Sequence, residues 1–296
     1  MFRHHAYHAM VRAVPRRSDH AALWDVARPA RPSTVPGVSM AGFQDRGVTV
    51  VGHRVIPHPA VMLALEFGAG PLIVEDAPGR HRRGSLVAGL RCGPDALRVR
   101  GENFAAVQVR LSPVVAGAIL GVPPGELDGA VVALDEVWGR QASRVREQLS
   151  DASSWRDRFA LTDRLLAERW RTEADGTTPA VDPEVAWAWR QILAGRGQVR
   201  VDTLAAELGW SRKRLWSRFH AQIGLAPKRA AKLVRFDHAV HRLVAGEETV
   251  RVAVASGYAD QSHLHRDVAA FTGLTPTALA GEPWLTVDDV AWPVRR

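Results

Sequence analysis

Two short stretches near the C-terminus carry side chains suited to reading hydrogen-bond patterns on another polymer. One is Arg212, Lys213 and Arg214; the other is Gln261, Ser262, His265 and Arg266. A glutamine amide can pair bidentately with an adenine edge, and a guanidinium with a guanine edge. Positive charge is dense around the first stretch. From Ser211 to Arg235 there are eight Lys or Arg (212, 213, 214, 218, 228, 229, 232 and 235) and no Asp or Glu. Such density gives salt-dependent attraction to phosphates without reading sequence. A solvated basic surface would give the same count, but it would not explain the spacing of the apolar and glycine positions around these residues.

Those positions repeat. Leu204, Ala205, Gly209, Leu215, Gly224 and Pro227 are matched by Val252, Ala253, Gly257, Leu264, Gly273 and Pro276. Ala to Gly is four residues in each copy, Leu to Gly nine and Leu to Pro twelve. The pattern predicts two helix-turn-helix units. A small residue lies where the helices cross, and a glycine of positive φ makes the turn. Ser211 and Asp260 are placed to cap the second helix of each unit. Leu215 and Phe219, and likewise Leu264 and Val268, are i and i+4 and face inward together. The basic and polar residues then face outward. A helix over Lys228 to Ala245, closed by Gly246, joins the units. An earlier helix opens at Asp182-Pro183-Glu184, with Asp as cap and Pro at the first position, and ends at Gly195 and Gly197.

The stretch from about Asp182 to Gly281 resembles the DNA-binding domain of AraC/XylS transcription regulators. The likeness is densest from Gly257 to Arg266 and at Gly273-Leu274-Thr275-Pro276. The resemblance implies seven helices with two helix-turn-helix units whose second helices enter successive major-groove segments. By position, the first reader uses Arg212, Lys213, Trp216 and Ser217, with Arg218 beside them. The second uses Gln261, Ser262, His265 and Arg266. The chain departs from the family at Ser217, where arginine is common, and at Val268, where an aromatic is usual. Many members carry an N-terminal cupin-like β-barrel that binds an effector, followed by dimerising helices. The run Val109-Arg110-Leu111-Ser112-Pro113, with Leu120-Gly121-Val122-Pro123 after it, is similar to a subgroup with such a sensor region.

The rest of the chain fits two domains within 296 residues, 46% hydrophobic and 24% charged. Residues 15 to 110 hold short apolar runs between Gly and Pro breaks: Gly47–Val51, Val61–Phe67, Pro71–Val74, Ser85–Val87 and Phe104–Val109. These read as strands of a barrel or sandwich, with the basic tip Arg80–Arg83, flanked by Gly79 and Gly84, as a turn or hairpin end. Helices follow from Ser112 to Gly121, from Glu136 to Leu149, and from Ser153. The last places Trp155, Phe159, Leu166 and Trp170 near one face, as core or as a dimer surface. The expected organisation is α+β. A sensor and dimerisation domain covers 1–171, a linker 172–180, an all-α double helix-turn-helix domain 181–282, and a tail 283–296.

Net charge is +8 and the pI about 10.7, which favours a polyanionic partner. A single cysteine, Cys92, leaves no disulfide framework and no cysteine-based zinc site. Met1 to Val14, with Arg3, His4, His5, His8 and Arg12, has no apolar core of a secretory signal, and no run reaches membrane-spanning length. The chain reads as a non-enzymatic, cytoplasmic and nucleoid-associated regulator with no cofactor. Its expected partners are duplex promoter DNA, a small effector, RNA polymerase and a second copy. Two alternatives stand beside this reading. One is a metal-binding cupin enzyme using His53, His58, His81, Glu66 or Glu75, fused to a DNA-binding domain. The other is a non-specific architectural DNA binder.

Overall fold

The computed structural model describes residues 24–46, 50–77, 80–93, 97–127, 129–174 and 181–292. The expectations for Met1–Val14, Gly47–Thr49, Gly79, the 175–180 part of the linker and 293–296 lie outside them. The N-terminal half is built on two antiparallel sheets. The strands are β1 (Trp24–Ala27), β2 (Val38–Asp45), β3 (Val50–Arg54), β4 (Val61–Glu66), β5 (Ile73–Ala77), β6 (Arg80–Arg83), β7 (Leu86–Ala88), β8 (Arg98–Gly101), β9 (Ala105–Leu111) and β10 (Val131–Ala133). One sheet runs β1-β2-β9-β4-β7-β10 and the other β3-β8-β5-β6.

Alternation along the central strands decides what each face meets. Val61, Leu63 and Leu65 of β4 and Val107, Val109 and Leu111 of β9 are buried in the core shared with the helices. Met62 and Ala64, with Ala106 and Gln108, line the space between the sheets. The helices covering the first face are α1 (Pro113–Leu120), α2 (Pro124–Leu127), α3 (Leu134–Trp138), α4 (Gln141–Asp151) and α5 (Trp155–Ala174). Ser112 caps α1 by accepting from Val114 N–H, and Gly121 closes it at φ 80°. Gly42 on β2 lets α5 approach closely: a Cβ there would lie 2.3 Å from the Trp155 ring. Trp155 also stacks on Phe159, and both pack into the core with Leu166 and Trp170.

Two expectations are corrected here, and a third is made definite. Arg80–Arg83, expected as a turn or hairpin end, is the second strand of a hairpin; it pairs with β5, and the Arg80 guanidinium binds the Asp76 carboxylate across that hairpin. The single helix expected over Glu136–Leu149 is two, because Gly139 takes φ 54° between α3 and α4. Helix α5 runs through Ala174, three residues into the stretch expected to be linker.

The C-terminal half comprises α6 (Pro183–Ala194), α7 (Val201–Glu207), α8 (Arg212–Ile223), α9 (Pro227–Val244), α10 (Thr249–Ala255), α11 (Gln261–Thr272), α12 (Pro276–Ala280) and α13 (Pro283–Ala291). The seven helices implied by the resemblance are α6 to α12. The eighth, α13, forms in the tail, where the sequence held no legible pattern. Its Val287 and Ala291, followed by Trp292, pack with Trp24 and Phe43 of the sheets.

Two places chiefly hold the two halves together, with Arg54 of β3 also donating to the Thr272 carbonyl of α11 and Arg229 of α9 to the Cys92 carbonyl. At one, the C-terminal end of α8 docks on α2; a Cβ at Gly125 would lie 2.3 Å from the Ala221 carbonyl oxygen. At the other, His58 lies between Asp237 of α9, at 2.9 Å, and Asp288 of α13, at 3.3 Å. Arg110 of β9 binds Asp288 and lies 4.3 Å from the Trp292 ring centroid. Burial alone depresses the His58 pKa, and the Arg110 charge adds to that. The Asp288 charge and the hydrogen bonds to both carboxylates outweigh them, so the imidazole titrates above its usual value. Burial pushes the Asp288 pKa up, but Arg110 and His58 hold it well below the usual carboxylate range. Asp237 is lowered as well, by its hydrogen bond to His58 against the effect of burial.

Candidate nucleic-acid interface

Each helix-turn-helix unit is fixed by the residues the spacing singled out. In the first, Leu204 and Ala205 of α7 pack against Leu215 and Phe219 of α8, all of them buried. Gly209 takes φ 63° at the turn, and the Ser211 hydroxyl accepts from Arg214 N–H to start α8. In the second, Val252 and Ala253 of α10 meet Leu264 and Val268 of α11. Gly257 takes φ 72°, and the Asp260 carboxylate accepts from His263 N–H at 2.6 Å. Helix α9 carries Ala230, Leu233, Phe236 and Ala239 buried between the units, with Phe236 tilted on Phe271 at 4.6 Å. This shared core orients α8 and α11 relative to each other.

The residues expected to read DNA are brought to the surface. Arg212, Lys213, Trp216, Ser217 and Arg218 on α8 are exposed. So are Gln261, Ser262 and Arg266 on α11, while His265 is half-buried. Trp216 is 54% exposed and stacks on His220 with an interplanar angle of 12°. That ring is thus held as a flat projecting surface rather than drawn into the core. Gln261 lies 3.4 Å from His265, and the Arg266 Nε donates to the Ser262 carbonyl.

The charge is less free than its count suggests. Lys232 and Arg235 both bind the buried Asp267 carboxylate, at 3.1 and 3.0 Å. Arg235 also lies over the Tyr258 ring. Burial pushes the Tyr258 phenol up to about 12, which keeps it a neutral packing group. Arg229 reaches back to the Cys92 carbonyl. Arg212 pairs with Asp202 at 3.2 Å, and Arg218 with Asp182 at 3.1 Å. Asp182 was expected to cap α6; its side chain makes no capping hydrogen bond and turns to Arg218 instead. Lys213 and Lys228 have no carboxylate partner among the described residues. A groove of about 860 Å³ lies between the units, lined by Arg200, Arg212, Trp216, Lys228, Lys232 and His263 among others. Lys228 at this groove was missed by residue-by-residue reading of the two helices, because its place depends on how α9 spans them.

His58, Glu66 and His81, weighed as metal ligands, have other partners. His58 binds Asp237 and Asp288, Glu66 accepts from Arg146, and Arg100 contacts His81. Among the described residues, no group of three or more His, Cys, Asp or Glu is arranged to hold a metal ion. No helix among them is long and apolar enough to cross a membrane.

Residues 204–281 match the helix-turn-helix domain family. No curated protein matches the chain in sequence. Among solved structures, the chain is similar to ToxT from Vibrio cholerae O395, with 10% identity and a TM-score of 0.46 over 83% of this chain and 98% of that one. It is similar to the C-terminal domain of AraT, a response regulator from Geobacillus stearothermophilus, with 18% identity and a TM-score of 0.33 over 34% and 87%. It is also similar to the AraC-like transcriptional activator CuxR, with 17% identity and a TM-score of 0.28 over 69% and 82%. The matched stretch contains both helix-turn-helix units, from Leu204 of α7 to the end of α12.

Proposed function

We propose that the chain is a non-enzymatic, sequence-specific regulator that reads promoter DNA with α8 and α11 and answers to a small molecule held by its N-terminal sheets. One observation carries the DNA half of this reading. Two capped helices, locked to one core through α9, both turn polar side chains outward. Two helices in register with successive major-groove turns would sit about 34 Å apart along the duplex, or about 10 base pairs. Outward Gln261, Ser262 and Arg266 supply base-edge donors and acceptors, and Arg212 and Lys213 supply phosphate contacts. Its work on chromosomal DNA would lie in the cytoplasm. RNA polymerase and a second copy of the chain are the further partners we infer.

The alternative of an architectural binder is disfavoured by the diversity of the α11 face, because phosphate contacts need only positive charge. Selection of binding sites from a random duplex pool tests the proposal. A two-part motif with its halves about one helical turn apart is expected. Recovery of no motif from a protein that retains bulk DNA affinity would refute sequence reading.

A further inference from the structure

The two sheets do not fill the space between them. A cavity of about 110 Å³ remains, walled by Phe43, Leu72, Val74, Leu86 and Phe104 among others. The register explains it. Ala64 on β4 pairs with Gln108 on β9 and with Leu86 on β7, while Met62 pairs with Ala88. Ala64, Ala88 and Ala106 all line the gap, and alanine is too short to bridge facing sheets about 10 Å apart. The volume is somewhat below the roughly 150 Å³ of a dry engineered cavity that holds benzene.

Gln108 is the one polar side chain among the lining residues. Its Oε1 is shut off from solvent and has no hydrogen-bond partner among the described residues. A buried carbonyl oxygen left unpaired is destabilising, so a donor placed against it is favoured. No charged side chain lines the cavity, so an ionised ligand would lose its hydration without compensation.

We propose that this cavity receives a small, predominantly apolar molecule carrying one hydrogen-bond donor, which Gln108 Oε1 accepts. The inference rests on reading the N-terminal half as the effector-binding part. Gln108 and Arg110 are two residues apart on β9 and so share a face. Arg110 binds Asp288 on α13, so a molecule on Gln108 sits one strand step from the contact that ties the DNA-binding half in place.

The test is calorimetric titration of the full chain with phenol, anisole and toluene, three rings of similar size. Phenol offers a donor, anisole only an acceptor, and toluene neither. Phenol should bind about tenfold more tightly than the other two, the size of effect one buried hydrogen bond gives. Gln108→Leu should erase that preference, and Ala106→Leu, which fills the gap, should abolish binding of all three. Equal affinities in the wild-type chain, or a preference for anisole, would overturn the donor assignment while leaving an effector cavity standing. Binding of none of the three would overturn both. Binding that survives Ala106→Leu would place the ring elsewhere and also overturn the proposal. If Gln108→Leu does not fold, the wild-type ranking decides alone.

Discussion

Arg266 projects from the exposed side of α11 one turn beyond Ser262, whose carbonyl accepts from its Nε. That leaves the terminal nitrogens of the guanidinium for a base edge. Arg266→Ala should therefore lose about 1–3 kcal/mol at one operator position and relax specificity there. Lys213 stands at the start of α8 without a carboxylate partner among the described residues. Lys213→Ala should weaken binding to all sequences alike and reduce the salt slope by about 1. Titrations of matched and mutated duplexes at several salt concentrations distinguish these outcomes; a uniform loss from both variants would contradict the division. Arg214 is a poorer probe than its charge suggests, because it stacks on Trp210 at 4.4 Å. Asp267 has a structural role. It is buried and binds both Lys232 and Arg235, so Asp267→Ala should destabilise the domain by about 3 kcal/mol in denaturant unfolding. The sequence made the outward residues legible, since fixed positions on a capped helix determine direction. It could not reveal Asp267, whose two partners come from α9, more than thirty residues earlier.

The two turns share a glycine but differ in length, six residues from Gly209 to Leu215 against seven from Gly257 to Leu264, and in what surrounds that glycine. Gly209 and Gly257 both have positive φ, which a side chain adopts at a cost of about 1–2 kcal/mol. A Cβ at Gly209 would meet nothing within 4 Å, whereas one at Gly257 would lie 2.5 Å from the Gln198 side chain. Gly209→Ala should therefore lower unfolding stability by about 1 kcal/mol, and Gly257→Ala by more; the reverse order would show that the turns are not held as described. The helical repeat could be read because its period, caps and glycines all agree. Strand β6 could not, since Arg80–Arg83 has no apolar alternation and pairs only because β5 lies alongside. Helix α13 was hidden for a related reason. Its Val287 and Ala291 are buried against another domain, and its Asp288 finds its partners on β9 and beside β4.

At the scale of the whole molecule, the contact among His58, Arg110, Asp237 and Asp288 couples domain packing to pH. Asp237 and Asp288 titrate below their usual range, so their contribution is present above about pH 4 and lost as pH falls. His58 titrates above its usual value, so its contribution is present below about pH 6.5 and fades as pH rises through the raised value. Resistance of the full chain to thermal unfolding should be greatest between these limits. In His58→Gln the decline on the alkaline side should shrink; an unchanged profile would show that this imidazole does not couple the halves. The same packing joins the cavity between the sheets, through β9, to the C-terminal helices proposed to meet DNA. A regulator of this kind needs those helices to read sequence rather than only charge. The most direct measurement is the ratio of affinities of the full-length chain for its selected site and for a scrambled duplex at physiological salt. A ratio of at least about 10³ is expected. A ratio near one, with affinity that merely falls steeply with salt, would contradict it.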